Sequence, residues 1–448
     1  MSAIDTAARA TVARERRQNR RLATLDMLSR SIAENLPKGL PGAMAVPIAE
    51  SRSSTTQIAG GITYGFSNST PANHFPHHYS LYGGDWSFYS TSYLVGINCH
   101  NGNGTDPAAV PVSKPSTNVR FATYADRFEV YAQNYLGFRV KVNGKYCKTG
   151  AYGVSALNGD SASGRFFLFD FTGTEFAGTG LKLVELQAAF DEFRFGGVRV
   201  PVAYTVHPWP QAFPLKAALH GDSMPGTVSD PGTEYRTSLH GFVPAIMQAL
   251  TGISDIWMNS IGSTGYIADG SGTRSNWIEQ APVDFAGKDF DIVWGLGSRN
   301  DSWPGSSAYQ AIVKNWIEIV LADNPDAIIF LSGPIFSTTT DNANATVQLM
   351  QSAIREAAAS YPQNCAFIET CGNSVTADPW IFGSGKVDAT TGNGNADMVR
   401  GGDGVHLSVF GHQYLGTRIV TETAKVIPLL ASRIRNGVIE GLNDTDIA

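Results

Sequence analysis

The sequence predicts a multidomain protein: an N-terminal helix, an all-β sandwich of jelly-roll type, and a three-layer α/β domain on a parallel sheet of about five strands. Three observations predict this order. Apolar residues recur every three or four positions over 4–36, aromatic and β-branched runs alternate with turn residues over 60–205, and strand-like and helical runs alternate after Pro214. We therefore expect a helical arm at 1–40, a sandwich domain at 60–205 and an α/β domain at 215–436.

The composition describes a globular, loop-rich protein. The chain has 448 residues, of which 43% are hydrophobic and 16% charged, and 47 are glycine. A net charge of −6 argues against nucleic acid as the main partner, because phosphate binding relies on a basic face. No apolar run approaches the roughly 18 residues that cross a bilayer, and the first residues lack the apolar core of a secretory signal. We expect no membrane partner and no signal peptide, which leaves an extracellular, virion-associated or cytoplasmic location open.

The N-terminal helix carries a narrow apolar stripe and a basic segment. Five arginines lie between positions 14 and 21, and such a charge run more often forms a solvated helix face than a binding surface. Because little neighbouring chain is at hand to bury the stripe, we expect the helix to mediate self-association or attachment to a larger assembly. The stripe consists of Leu22, Leu25, Leu28, Ile32 and Leu36, and Pro37 ends the pattern.

The predicted sandwich contains about seven short strands. Asn143-Gly144 follows an alternating strand and predicts a tight hairpin turn. The predicted strands lie at 86–95, 119–124, 128–131, 138–142, 166–171, 181–186 and 193–202.

Neither the histidines nor the cysteines predict a metal site. The segment 73–78 holds three histidines around a proline without an acidic or thiol neighbour, so we interpret it as a surface loop. The cysteines at 99, 147, 365 and 371 lack the paired spacing of a zinc site or a disulfide framework. We expect neither a metal nor another cofactor.

The α/β domain places its polar motifs at one edge of the sheet. Strands are predicted at 215–219, 256–261, 290–296, 327–331 and 365–369, with helices at 309–321 and 347–361. Gly-Asp-Ser follows the first strand, Asn-Ser-Ile-Gly-Ser-Thr-Gly-Tyr the second and Gly-Ser-Arg-Asn-Asp the third, while Asp-Gly-Val-His precedes the last helix. Parallel strands direct their carboxyl ends to the same edge, so we expect these four segments to meet there.

Ser223 is the candidate nucleophile of this edge. A serine hydroxyl needs a neighbouring base to attack a carbonyl at neutral pH, and His406 can take that proton and return it to a leaving alcohol. Asp403, three residues earlier, can hold the imidazole by its other nitrogen. His220 is a rival base because it is close in sequence, but strand alternation directs it away from Ser223.

The order and spacing of these segments resemble the SGNH (also called GDSL) hydrolase superfamily over residues 215–435. The resemblance implies a serine esterase that works through an acyl-enzyme intermediate. It implies Ser223 as the nucleophile and Asp403 and His406 as the rest of the catalytic triad. It also implies three oxyanion-hole donors: the backbone N–H groups of Ser223 and Gly265 and the side-chain amide of Asn300.

A sandwich before an SGNH domain resembles the layout of several carbohydrate esterases, so the preferred substrate is an O-acetylated carbohydrate. Tyr266, Trp303 and Trp380 lie in loops expected to rim the site, where aromatic faces suit sugar rings. A lipid or other carboxylic ester is the alternative substrate class. The alternative to an enzyme is a structural or glycan-binding protein, such as a phage tail or virion component, that keeps the fold without turning over a substrate.

Overall fold

A computed structural model gives the architecture of most of the chain. Its described residues form an N-terminal helix, two large antiparallel sheets, a small antiparallel sheet of two strands and a C-terminal parallel sheet of five strands, which confirms the predicted fold class. No helix among the described residues is long and apolar enough to span a membrane. The structure describes residues 3–46, 48–65, 78–88, 92–97, 99–100, 111–112, 116–133, 138–148, 164–178, 180–188, 193–226, 242–270, 274–297, 299–335, 345–372 and 379–443.

The sandwich consists of two facing antiparallel sheets with a phenylalanine-rich core between them. One sheet has the order β1-β12-β9-β14-β5-β4, with β2 on β14, and the other β11-β10-β13-β8-β15, with β3 on β8. Strands β6 and β7 pair with each other in a separate two-stranded sheet. The strands are β1 (Ala49–Ser53), β2 (Ile62–Gly65), β3 (Ser80–Tyr82), β4 (Asp85–Phe88), β5 (Leu94–Ile97), β6 (Cys99–His100), β7 (Pro111–Val112), β8 (Asn118–Thr123), β9 (Arg127–Gln133), β10 (Phe138–Val142), β11 (Lys145–Tyr146), β12 (Arg165–Asp170), β13 (Lys182–Ala188), β14 (Arg194–Val200) and β15 (His207–Pro208).

Local sequence explains the hairpins of the sandwich. Asn143 and Gly144 both have positive φ, 49° and 80°, as the predicted two-residue turn between β10 and β11 requires. The run at 86–95 contributes to two strands rather than one, because β4 and β5 pair antiparallel, with Phe88 opposite Leu94.

The C-terminal region is a parallel sheet with helices on both faces, as predicted. Its strands are β16 (Lys216–Gly221), β17 (Asp255–Ser260), β18 (Ile292–Gly295), β19 (Ile328–Ser332) and β20 (Cys365–Ile368), in the order β17-β16-β18-β19-β20. The helices after the N-terminal one are α2 (Val243–Thr251), α3 (Trp277–Asp284), α4 (Ser306–Asp323), α5 (Ala345–Ala359), α6 (Ala396–Val399) and α7 (Val409–Asn443), and α1 is Ala3–Asn35. Whether the sandwich and the α/β domain fold independently at the predicted boundaries stays a prediction.

Helix α1 packs on its own chain. Leu25, Leu28 and Ile32 are at most 2% exposed and belong to the same apolar cluster as residues of α2 and α7. The expectation that too little neighbouring chain exists to bury the stripe is therefore wrong, because α7, at the far end of the sequence, covers it. Self-association or attachment through α1 stays a prediction, but an unburied apolar stripe no longer supports it.

Truncating the buried stripe should destabilise the fold. Leu28→Ala removes a fully buried side chain, so we expect the free energy of unfolding in urea to fall by about 2–5 kcal/mol. The matched control is Leu429→Ala on α7, whose side chain is 58% exposed and which should change stability by less than about 0.5 kcal/mol. Equal stability of the two variants would mean that α1 is undocked in solution.

Candidate active site

Ser223 lies at the carboxyl edge of the parallel sheet. Strand β16 ends at Gly221, which pairs with Ser260, the last residue of β17. The N–H of Ile261 donates to the carbonyl of Gly221 at 3.1 Å, so the two strands stay joined up to the point where their loops diverge. Ser223 follows two residues later and is 8% exposed. The strand therefore delivers this hydroxyl to the predicted edge on a short, well-anchored turn.

The structure brings Ser223, His406 and Asp403 together in one hydrogen-bonded chain. His406 Nε2 lies 3.0 Å from Ser223 Oγ, and His406 Nδ1 lies 2.7 Å from Asp403 Oδ2. Both distances are within the range of hydrogen bonds. The side chains of His406 and Asp403 are 25% and 40% exposed, so solvent reaches this side of the site.

The loop that carries the histidine is held by its own polar groups. Asp403 Oδ1 accepts the backbone N–H of Val405 at 2.8 Å and that of His406 at 2.9 Å, so one carboxylate fixes both the loop and the imidazole. Arg400 Nε donates to the carbonyl of Gly404 at 3.0 Å, where a positive φ of 72° favours glycine. Arg400 was not predicted from the sequence, because its hydrogen bonds to the carbonyls of Gly404 and Gly385 leave no motif.

Asp222 supports the turn from beneath. One oxygen accepts the N–H of Met224 at 2.8 Å, and the other accepts the N–H of Arg299 at 3.3 Å and lies 3.5 Å from Asn300 Nδ2. Burial raises the pKa of this carboxyl to about 6, and the hydrogen bonds from the backbone oppose that rise. Asp222 therefore ties the serine turn to the loop after β18.

The predicted oxyanion-hole role of Gly265 is wrong, because its N–H already donates to the carbonyl of Ala268 at 3.0 Å. Gly262 is the glycine that lies against the nucleophile: a Cβ built on it would be 3.4 Å from the Cβ of Ser223. Within the described part of the chain, the N–H groups of Gly262 and Ser223 donate to no acceptor. Arg274 Nη1 donates to the carbonyl of Gly262 at 2.8 Å and so fixes this peptide.

Asn300 also lies at this edge. Its Nδ2 donates to the carbonyl of Thr264 at 2.9 Å, and the same nitrogen makes the longer contact to Asp222. The amide therefore links the loops after β17 and β18 directly behind the serine turn.

Asp301 is a positioning residue that the sequence analysis missed. Its carboxylate accepts the backbone N–H groups of Tyr266, Ile267 and Ala268 at 2.9–3.1 Å and the hydroxyl of Tyr309 at 2.7 Å. Burial raises the pKa of this carboxyl, against the effect of these donors. The position of Asp301, next to Asn300 in a polar segment after a strand, indicates a residue at the site. Its hydrogen-bond partners could not be predicted, because they are mostly backbone N–H groups and leave no sequence pattern.

Two of the three aromatic residues predicted to bind substrate are core residues. Tyr266 is fully buried against Trp277, with ring centroids 4.5 Å apart, and Trp380 is 2% exposed within the apolar cluster under α7. Those two predictions are wrong, because the loops turn inward and bury their large side chains. Trp303 is half-buried beside Tyr309, with a centroid distance of 5.8 Å, and its role stays a prediction.

His220 is not available as a base. It is fully buried, and its Nδ1 accepts the indole N–H of Trp316 at 3.0 Å. Burial lowers its pKa to about 3, so the imidazole is neutral at physiological pH. The predicted orientation away from Ser223 is confirmed.

The described residues contain no cluster of three or more histidine, cysteine, aspartate or glutamate side chains that could hold a metal ion. Of the histidine-rich segment, residues 73–77 lie outside the part of the chain that the structure describes. His78 Nδ1 lies 3.0 Å from the carbonyl oxygen of Val206.

The fold occurs in solved structures of low sequence identity. The salicylyl-acyltransferase SsfX3 from a tetracycline biosynthetic pathway is 14% identical, with 82% of this chain and 98% of that chain covered and a TM-score of 0.56. A family two carbohydrate esterase from Clostridium thermocellum, in complex with cellohexaose, is 16% identical, with 78% and 99% covered and a TM-score of 0.50. The family two carbohydrate esterase from Cellvibrio japonicus is 10% identical, with 86% and 100% covered and a TM-score of 0.50.

No family model and no curated protein matches the sequence. The chain shares its fold with these solved structures over nearly their whole length, and at 10–16% identity the likeness is one of fold. The resemblance inferred from the four polar segments is thereby confirmed as a resemblance of fold.

Removing the Asp222 carboxyl should change how stability depends on pH. Its pKa of about 6 in the folded chain exceeds the ordinary unfolded value near 4. Between those values the folded state holds the proton and the unfolded state does not, so the free energy of unfolding falls as pH rises from about 4 to about 6, by up to about 3 kcal/mol. Asp222→Asn should lack this decline in urea titrations across that window.

The exposed Asp388→Asn is the matched control for this prediction and should retain the wild-type decline. A wild-type decline in Asp222→Asn would show that another group titrates in this window.

Proposed function

We propose that this protein is a serine esterase that acts through an acyl-enzyme intermediate. The observation that carries the proposal is the chain of two hydrogen bonds, 3.0 Å from Ser223 Oγ to His406 Nε2 and 2.7 Å from His406 Nδ1 to Asp403. A neutral imidazole oriented in this way can accept the serine proton at the moment of attack.

The chemistry needs only these residues, an ester and water. Ser223 Oγ forms a bond to the acyl carbon while its proton passes to His406 Nε2. The bond from the acyl carbon to the alcohol oxygen then breaks, and the alcohol leaves with the proton from His406. Water attacks the acyl carbon and gives a proton to His406, the bond to Ser223 breaks, and Oγ regains that proton as the acid departs.

The negative charge of each tetrahedral intermediate needs donors near Ser223. We assign this role to the N–H groups of Ser223 and Gly262, with Gly262 in place of Gly265. We also assign it to the second N–H of the Asn300 amide, because the first donates to Thr264 at 2.9 Å and the nitrogen makes only a long contact of 3.5 Å to Asp222. The fixed peptide of Gly262, held by Arg274, supports this assignment because a pre-positioned donor needs no rearrangement during the reaction.

Water is the acceptor that the site favours. The exposure of His406 and Asp403 leaves the base open to solvent on one side. An acyltransferase with this fold, such as SsfX3, is named for transfer to another acceptor. Analysis of products with and without added alcohols distinguishes the two outcomes, and we expect the free acid to dominate.

The proposed substrate class is an O-acetylated carbohydrate. The support is the shared layout with two structures named as carbohydrate esterases, one of them in complex with cellohexaose. Because Tyr266 and Trp380 are buried in the core, Trp303 is the one of the three predicted aromatic residues that can still contact a sugar ring. Release of acetate from acetylated glycans, compared with release of fatty acids from lipid esters, tests this class against the lipid alternative.

Loss of the nucleophile and loss of the base should be equivalent. Ser223→Ala and His406→Ala should each lower kcat on p-nitrophenyl acetate by about 10⁴-fold or more, and the double variant should lose no more than either single one. His412→Ala is the matched control, because this histidine lies on α7, is fully buried with its ring 5.6 Å from that of Phe242, and is not part of the Ser223–His406–Asp403 chain. Full activity in Ser223→Ala would refute the proposal, and an inactive wild type would favour the structural alternative.

Loss of an oxyanion donor should give a different kinetic signature. Asn300→Ala leaves the serine–histidine pair intact, so we expect kcat to fall by about 10²–10³-fold with little change in KM. Because the same amide links two loops, the melting temperature must be measured alongside. A fall in kcat that merely follows unfolding, or a change confined to KM, would exclude a role in stabilising the transition state.

A further inference from the structure

A cleft lies at the amino end of β17, whereas Ser223 lies beside the loop at its carboxyl end. The cleft, of about 660 Å³, opens where the end of α1, the sheet face of β10, β13 and β8, and the end of α2 meet. Ser254 lines it and immediately precedes β17, whose other end leads into the loop beside Ser223. Six residues of strand at about 3.3 Å each separate the two edges, by roughly 20 Å.

Three charged side chains form a row across the floor of the cleft. In the sheet register Lys141 pairs with Glu185, and Glu185 pairs with Arg120. Lys141 Nζ lies 2.6 Å from one oxygen of Glu185, and Arg120 Nε lies 3.7 Å from the other. All three residues are at most 8% exposed, although an outward sheet face is normally solvated.

The row carries one more positive than negative charge. Glu185 is shared by both cations, and among the described residues no second carboxylate forms an ion pair with Lys141 or Arg120. Glu34 also lines the cleft, but it pairs with Lys38 at 3.1 Å. A largely buried cation without its own counter-ion is costly, so the cleft favours an anionic occupant.

The walls suit a ring-shaped polar ligand. Trp209 is half-buried in the cleft, with the Arg120 guanidinium 3.5 Å from its ring centroid. Asn143 adds an exposed amide group to the lining, so the cleft opens to solvent on that side. Gln248 also lines the cleft, and its Nε2 donates to the carbonyls of Ser116 and Ser254. The volume is within the range of small-molecule sites, about 300–1,000 Å³.

We propose that this cleft binds a carboxylate-bearing sugar, that is, a uronate residue. The carboxylate supplies the missing counter-ion beside Lys141 and Arg120 through charge-assisted hydrogen bonds. The sugar ring and its hydroxyls contact the Trp209 indole and the exposed Asn143 amide. This site is independent of the proposed esterase activity, because no residue of the cleft belongs to the serine site.

Calorimetric titration of the full chain with a glucuronate or galacturonate disaccharide tests the proposal. Binding of the uronates is expected, together with at least about tenfold weaker binding of neutral disaccharides and of acetate. Equal binding of acetate would show that the cleft is a simple anion site. Equal binding of the neutral disaccharide would show that the cleft does not recognise the carboxylate. Absence of binding by all three compounds would show that the cleft is not a uronate site. Each of these three results overturns the proposal.

Opposite charge changes in the row give the sharper test. Lys141→Gln makes the row neutral and should weaken uronate binding about tenfold, while Glu185→Gln adds to the positive charge and should strengthen it. Damage to the fold would weaken both, so the opposite signs separate ligand recognition from misfolding. Equal or parallel changes in the two variants would overturn the assignment.

Lys145→Gln is the matched control, because this lysine lies on the same hairpin, is exposed, pairs with Glu175 at 3.1 Å and lies outside the cleft. Its uronate affinity should match that of the wild type. Hydrolysis of p-nitrophenyl acetate should be unchanged in Lys141→Gln, so failure of the cleft proposal and failure of the esterase proposal give different results.

Discussion

The hydrogen bond between Ser223 Oγ and His406 Nε2 joins residues that are 183 positions apart, and the rest of the site depends on it. It forms because β16 brings the serine to the carboxyl edge of the sheet. Helix α7 packs against the same sheet, and the loop that precedes α7 brings His406 to that edge. Sheet order and helix packing therefore fix the distance between a nucleophile and its base. The sandwich supplies none of these three side chains, so we expect it to act on larger substrates rather than on the bond that breaks.

Buried carboxylates organise the loops around that hydrogen bond. Asp222 holds the serine turn to the loop after β18, and Asp301 gathers three successive N–H groups of the loop after β17. Each carboxylate is satisfied largely by backbone donors, which compensate for the cost of taking its charge out of water. The same principle makes the row of Lys141, Glu185 and Arg120 notable, since there the compensation is incomplete.

Sequence patterns predicted what depends on local chemistry and strand order. Alternation and the Asn143-Gly144 turn predicted β10 and its hairpin, and polar segments after successive strands predicted which side chains would meet. Sequence patterns did not predict the role of a residue where that role depends on packing between distant parts of the chain. Gly262 and Gly265 are both plausible loop glycines, and only the turn geometry shows which N–H is used internally. Tyr266 is in a loop that Asp301 folds inward, and the partner of the α1 stripe is a helix almost 400 positions away.

Rapid quenching of the protein with p-nitrophenyl acetate, followed by mass spectrometry of its peptides, tests the central claim most directly. If Ser223 attacks the ester with His406 as base, the quenched protein carries one acetyl group, located on Ser223, and p-nitrophenol is released in a burst before steady turnover. Turnover without any acetylated protein, or an acetyl group that accumulates on a different residue, would contradict the account.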